Sequence, residues 1–142
     1  MIEVRPTRDE REVAAALALR EEVFCGEQGV SLAEERDGRD AGAMHLVVVD
    51  DGTVVATCRL LAEGTTVKLG RMAVAPSRRG LGLARALLTE ADTQARALHA
   101  ERIALAAQLS AQALYERAGY GAYGDVFLDA GIEHVMMAKP LV

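Results

Sequence analysis

One segment restricts the fold of this chain more than any other: the run from Arg71 through Met72, Ala73, Val74, Ala75, Pro76, Ser77, Arg78, Arg79, Gly80, Leu81, Gly82, Leu83, Ala84, Arg85 and Ala86 to Leu87 and Leu88. It begins as a β-type stretch and passes a Pro- and Gly-containing turn. It continues as a helix whose apolar positions Leu83, Leu87, Leu88, Ala91, Ala95 and Leu98 fall on one face, predicted from about Gly80 onward. A strand that feeds straight into an amphipathic helix belongs to a sheet with helices packed on it. The turn itself favours an anion, because the first N–H groups of a helix have no internal partner and the helix dipole adds positive potential there. Gly80, Gly82 and Ala84 leave room for a ligand to approach the backbone, and Arg78, Arg79 and Arg85 add cationic donors.

The flanking sequence supplies a mixed set of elements. Residues 2–5 read as a strand, and Thr7-Arg8-Asp9-Glu10 fits a capping box for a helix carrying Val13, Leu17 and Phe24, ended by Gly26 and Gly29. Residues 31–43, with Glu34, Glu35, Asp37 and Asp40 among arginines, read as a loop with a helical turn. Residues 45–49 and 53–60 flank Asp51-Gly52, a hairpin signal, and residues 66–74 form a third antiparallel strand. A strand from Arg102 to Ala106 follows. The last helix is expected from Ala111 to Ala118, with Ser110 as its cap and Gly119 as its stop, before two strands around 122–128 and 134–138. The expected order is β-α-β-β-β-α-β-α-β-β, an α/β (α+β mixed sheet) protein with helices on both faces. Its 142 residues are read as a single domain, 1–142.

Composition narrows the partners. The net charge is −5, from 16 basic and 21 acidic side chains, and there is no Trp, which argues against nucleic acid. Apolar runs such as Leu46-Val47-Val48-Val49 fall far short of the ~20 residues of a membrane span. The first residues carry no apolar leader, and Cys25 and Cys58 form no disulfide framework or metal-type pair. A cytoplasmic protein with no metal site is the expectation.

Three nucleotide-binding patterns compete for the turn. A P-loop requires a Lys followed by Ser or Thr, which is absent. A dinucleotide fingerprint requires a third glycine where Arg85 stands. The pattern [RQ]-x-x-G-x-[GA] is met by Arg79, Gly82 and Ala84. On these six residues alone, a glycine-rich turn without a ligand stays open.

Met72 to Leu88 resembles motif A of the GNAT superfamily of acyl-CoA-dependent N-acyltransferases. The likeness extends along the chain: Glu22-Val23-Phe24, Glu27-Gln28-Gly29-Val30, His45-Leu46, Thr57, Arg59-Leu60, Ala107-Gln108, Leu114-Tyr115-Glu116-Arg117, Gly119-Tyr120, Gly131-Ile132, His134-Val135 and Met137 recur in the order of the small ElaA-like (YjcF-like) branch. The resemblance implies a GNAT-like, mostly antiparallel V-shaped sheet splayed between its fourth and fifth strands. It also implies acetyl-CoA as the cofactor and direct acyl transfer to an amine of a small molecule or peptide. Residues Arg79, Gly80, Leu81, Gly82, Leu83, Ala84 and Arg85 would cradle the pyrophosphate. Met72, Ala73 and Val74 would run beside the pantetheine, with Gln108 near it, and Tyr115 would protonate the departing thiolate. A homodimer is compatible with the family.

The acceptor side is less constrained. Glu27 is the leading candidate for amine recognition or base work, with a solvated helix-end charge as the alternative. Gln28, Arg59, His45 and His134 are candidate substrate contacts, each with a structural alternative. The acidic loop is either a solvated surface or an attractor for a cationic amine. A covalent role for Cys25 is disfavoured, since transfer in this fold is direct. Two alternatives to an acetyltransferase remain at this level: a CoA-binding sensor without turnover, and an enzyme using another acyl group.

Overall fold

A computed structural model describes residues 1–142. One seven-stranded sheet runs through the molecule in the order β1-β2-β3-β4-β5-β7-β6. The strands are β1 (Ile2–Pro6), β2 (Met44–Asp50), β3 (Thr53–Glu63), β4 (Thr66–Val74), β5 (Arg102–Gln108), β6 (Gly121–Asp129) and β7 (Ile132–Pro140). The helices are α1 (Glu10–Arg20), α2 (Leu32–Glu35), α3 (Leu83–Ala97) and α4 (Gln112–Arg117). All neighbouring strands are antiparallel except β4 and β5. The β2–β3 hairpin turns on Asp51 and Gly52 at φ 48° and 83°, the paired left-handed conformation that matches strand twist.

Two features open the sheet. The parallel pairing of β4 with β5 covers only Thr66↔Arg102, Val67↔Ile103 and Lys68↔Ala104. Both strands continue beyond it without pairing to each other, which is the expected splay. In β4 a bulge sets Arg71 and Met72 against the single residue Cys58, because Arg59 pairs with Gly70 while Thr57 pairs with Ala73. Arg71 takes the left-handed conformation at φ 55°. The extra residue resets the alternation. Val67 and Leu69 before the bulge, and Met72 and Val74 after it, all meet the main core, while Ala73 meets α1.

The main core lies between the sheet and α3, where Leu83, Leu87, Leu88, Ala91 and Ala95 pack on Leu46, Val48, Cys58, Leu60 and Ile103. Burying one such side chain is worth about 1.5–3 kcal/mol, so this face supplies most of the hydrophobic stabilisation. On the other face α1 covers Val47 and Val49 through Ala16.

Several local expectations shift. The first cap is Asp9, not Thr7: its carboxylate accepts from Glu12 N at 2.9 Å, and Glu12 reaches back to Arg8 N at 2.7 Å. Thr7 N instead donates to His45 O at 2.9 Å, which holds it in the sheet. The helix does not stop at Gly26. It widens into a π-helical turn over Glu21–Glu27, and the chain breaks at Gly29 with φ 70°. The buried stripe runs through Ala16, Leu19, Arg20 and Val23, with Val13, Leu17 and Phe24 half-buried beside it. Helix α3 begins at Leu83, because Gly80 and Gly82 are both left-handed. Ser110 does not cap α4; it lies within a 3-10 turn over Leu109–Ala111.

Candidate active site

The splay between β4 and β5 is a cleft of about 1090 Å³ that reaches both faces of the sheet. At one mouth lies the turn before α3. Gly80 and Gly82 have φ of 78° and 79°, and a Cβ placed on either would meet no atom within 4 Å. Both positions therefore resist side chains through backbone strain while the space beside them is open. The first hydrogen bond of the helix runs from Ala86 N to Gly82 O at 3.0 Å, and no side chain caps the helix. The N–H groups of Gly80, Leu81 and Gly82 have no protein acceptor, and those of Leu83, Ala84 and Arg85 have none within their helix. Exposed Arg85 makes no ion pair beside them. This row of donors at the positive end of a 15-residue helix is suited to a phosphate group.

The two other arginines of the turn are engaged. Arg78 pairs with Asp50. Arg79 turns away from the helix start: Nη1 and Nη2 donate to Glu27 at 2.9 and 2.7 Å, while Nε and Nη2 donate to Val74 O at 3.2 and 3.1 Å. Glu27, expected as a base or amine contact, is thus held by both oxygens, and the Arg79 hydrogen bonds keep its carboxyl below the usual carboxylate range. Sequence spacing gave no signal for this pair, whose members lie 52 residues apart.

Met72, Ala73 and Val74 line the cleft along β4, opposite Leu105, Ala106 and Gln108 of β5. Tyr115 of α4 is 6% exposed and lies edge-on to Tyr120, with ring centroids 5.9 Å apart. The Tyr120 hydroxyl is sealed in the protein without a partner. That of Tyr115 also bonds no protein group but is not sealed, and its residue lines the cleft. Burial pushes the Tyr115 phenol further above its usual value, so it stays protonated. Cys58 lies in the core, and burial pushes its thiol up to about 12, so it holds its proton and is no nucleophile. Cys25 is half-buried and outside the cleft wall.

On the face covered by α1 and α2, the acidic loop turns inward onto arginines. Arg20 and Glu35, each about 1% exposed at the side chain, pair through Nε at 3.0 Å and Nη2 at 2.7 Å. Arg20 also holds Asp40 at 2.7 Å, Arg36 holds Glu35 at 2.8 Å, and Arg71 reaches Glu35 Oε2 at 3.0 Å. Arg59 bridges Asp37 at 2.8 Å and Asp40 at 3.2 Å. The Arg59 hydrogen bonds hold the Asp37 carboxyl far below the usual range. Glu35, Asp37 and Asp40 are therefore matched, leaving the outward Glu34 as the loop carboxylate bonded only to its own helix cap, Ser31. The buried Arg20 was absent from the sequence-derived site. Its signal was a cation set in the helical spacing between Leu17 and Phe24.

The remaining candidates divide. Gln108 Nε2 donates to Gln28 Oε1 at 2.9 Å, bringing two expected site residues together. Arg59 lines the cleft. His134 is 8% exposed and lines it too, stacked on Phe127 at 5.8 Å. His45 does not line it: Nε2 meets Asp40 O at 3.0 Å, so this ring ties β2 to the loop. No group of three or more metal-type side chains comes together.

Residues 6–141 match the family model described as an acetyltransferase (GNAT) domain. The chain is 33% identical over 133 residues to the uncharacterized N-acetyltransferase YjcF of Bacillus subtilis, covering 93% of this chain and 95% of that protein. The crystal structure of an acyl-CoA N-acyltransferase from Pseudomonas aeruginosa is similar at a TM-score of 0.87 and 32% identity, covering 98% of this chain and 99% of that one. Escherichia coli ElaA is similar at a TM-score of 0.86 and 25% identity, with 98% and 99% covered.

Proposed function

Since the chain belongs to the GNAT acetyltransferase family, we propose that residues 1–142 act as one domain that transfers an acetyl group from acetyl-CoA directly to an amine of a small molecule or peptide. The observation that carries this is the row of unpartnered N–H groups at Gly80–Gly82, opening onto a split sheet that has the free Tyr115 hydroxyl in its wall.

The residues fit the donor. The open space beside Gly80 and Gly82 admits a pyrophosphate against the main chain, and Leu81, Leu83, Ala84 and Arg85 complete the cradle. Arg79, oriented by Glu27, closes the turn against the end of β4; this gives Glu27 a positioning role in place of base work. The unpaired edge of β4 at Met72, Ala73 and Val74 offers strand-like hydrogen bonds to an extended pantetheine, with Gln108 across the gap. Acetyl-CoA supplies an activated acyl group and a thiolate leaving group. A backbone N–H near Val74 stabilises the charge that develops on the acyl oxygen. The Tyr115 hydroxyl, kept protonated by burial, is placed to donate its proton to the sulfur as the C–S bond breaks. No enzyme-bound acyl group is required.

Acyl-CoA consumption across a panel of amines, run beside calorimetric CoA binding, tests the reading. Turnover of at least one amine supports it. Tight CoA binding with no turnover of any amine replaces it with a sensor module.

A further inference from the structure

The proposed reaction needs a group to take a proton from the amine, and Glu27 is occupied by Arg79. Among the residues that line the cleft, His134 offers an unpartnered ring nitrogen. Its Nδ1 lies 2.7 Å from Ile132 O. A carbonyl oxygen only accepts, so Nδ1 carries the hydrogen, and in the neutral ring Nε2 carries the lone pair. Nε2 bonds no protein group, and unlike Nδ1 of His45 it is not sealed in the interior. The stacked Phe127 ring fixes the orientation.

The position of His134 in the sheet matters as much as its tautomer. In β7, Val135 and Met137 point into the core beneath α3 and α4, so His134 points to the opposite face. Its register partner Gln108 shares that face and bonds Gln28 from the α1 side. Tyr115 belongs to the α3–α4 core. The Tyr115 hydroxyl and His134 Nε2 therefore lie on opposite faces of the split.

We propose that His134 is the catalytic base of the acyl transfer. This rests on the reading given under Proposed function. As the amine nitrogen bonds to the thioester carbon, one N–H proton passes to His134 Nε2. The C–S bond breaks with its electron pair on sulfur, and Tyr115 protonates that sulfur. The imidazolium and phenolate return to rest by net transfer of one proton through solvent, so the proton lost by nitrogen equals the one gained by sulfur. Of the elements packed on β7, β5 sets Gln108 and β6 sets Phe127 opposite His134, and the turn over Leu109–Ala111 packs on the strand as well. The charged side chains those elements and α4 add to the cleft wall are Asp129 and Arg117, one of each sign.

His134→Asn keeps a donor for Ile132 O and removes Nε2. With the fastest amine of the panel, kcat/KM is expected to fall by about 10²-fold or more while the CoA Kd is unchanged. The wild-type profile should decline on the acid side as one proton binds. That decline should be absent in His134→Asn, and added imidazole should restore rate to His134→Ala. Nitrogen-15 spectra of the ring should show the Nδ1–H tautomer in the free protein. A profile unchanged in His134→Asn, or an Nε2–H tautomer, overturns the assignment while leaving the acyltransferase reading intact. Absence of wild-type turnover on every amine overturns both.

Discussion

Tyr115 and Glu35 show how differently two buried polar residues bear on this protein. Tyr115 has a free hydroxyl at the cleft, and burial keeps its proton on. Tyr115→Phe removes only that oxygen. It should lower kcat by about 10²–10⁴-fold while leaving CoA affinity within twofold, checked by steady-state kinetics and calorimetry. Unchanged turnover would take the proton donor elsewhere. Glu35 has its side chain about 1% exposed and meets Arg20, Arg36 and Arg71. Glu35→Gln leaves Arg20 buried with only Asp40, and breaking a buried pair costs about 3–5 kcal/mol, or roughly 10 °C of Tm for a chain of this size. A Tm within 2 °C of wild type would mean that the network relaxes around the change. Neither role follows from residue type: Tyr120 is just as buried, yet its hydroxyl is closed off from the cleft.

Among the elements, the start of α1 is held electrostatically. Glu12 accepts from Arg5 at 2.7 and 2.8 Å and from Arg8 N at 2.7 Å, and these bonds lower its carboxyl to about 2 from the usual 4.5. A carboxyl lowered in the folded state stabilises above its unfolded value, and that contribution is lost as pH falls toward about 2. Glu12→Gln should therefore lower Tm at pH 7, with the deficit shrinking below pH ~4.5 and gone near pH 2, in thermal melts across pH. A deficit independent of pH would assign the effect to packing. This helix also shows where periodicity misleads. Val13, Leu17 and Phe24 share a face by spacing, but the sheet covers the neighbouring face, where Ala16, Leu19, Arg20 and Val23 follow one another at the same steps of 3 and 4. In helix α3 the apolar positions Leu83, Leu87, Leu88, Ala91 and Ala95 are buried as the sequence indicates, whereas Leu98, expected on the same face, falls at the C-terminal cap and is 47% exposed because the helix ends at Ala97.

At the scale of the whole molecule, the split between β4 and β5 joins a phosphate-type turn on one face to an arginine-buttressed loop on the other. A ligand seated there links elements far apart in the chain. Acetyl-CoA at about 100 times its Kd should add about 2.7 kcal/mol, raising Tm by several degrees. Gly82→Val, strained at φ 79° and filling the open cradle, should fold but show no such shift; a retained shift would move the pyrophosphate elsewhere. Much of this architecture is legible in the residues. The strand-turn-helix from Met72 to Leu88 and the Asp51-Gly52 hairpin are written locally, because left-handed glycines and helix starts depend on neighbours in the chain. What folding alone decided lies in partners distant in sequence: Arg79 with Glu27 across 52 residues, Gln108 with Gln28 across 80, and Arg20 with Glu35 and Asp40. A charged side chain reads the same in a sequence whether it faces water, a substrate or another charge. Burial and the nearest opposite charge settle which, and both exist only once the chain has closed on itself.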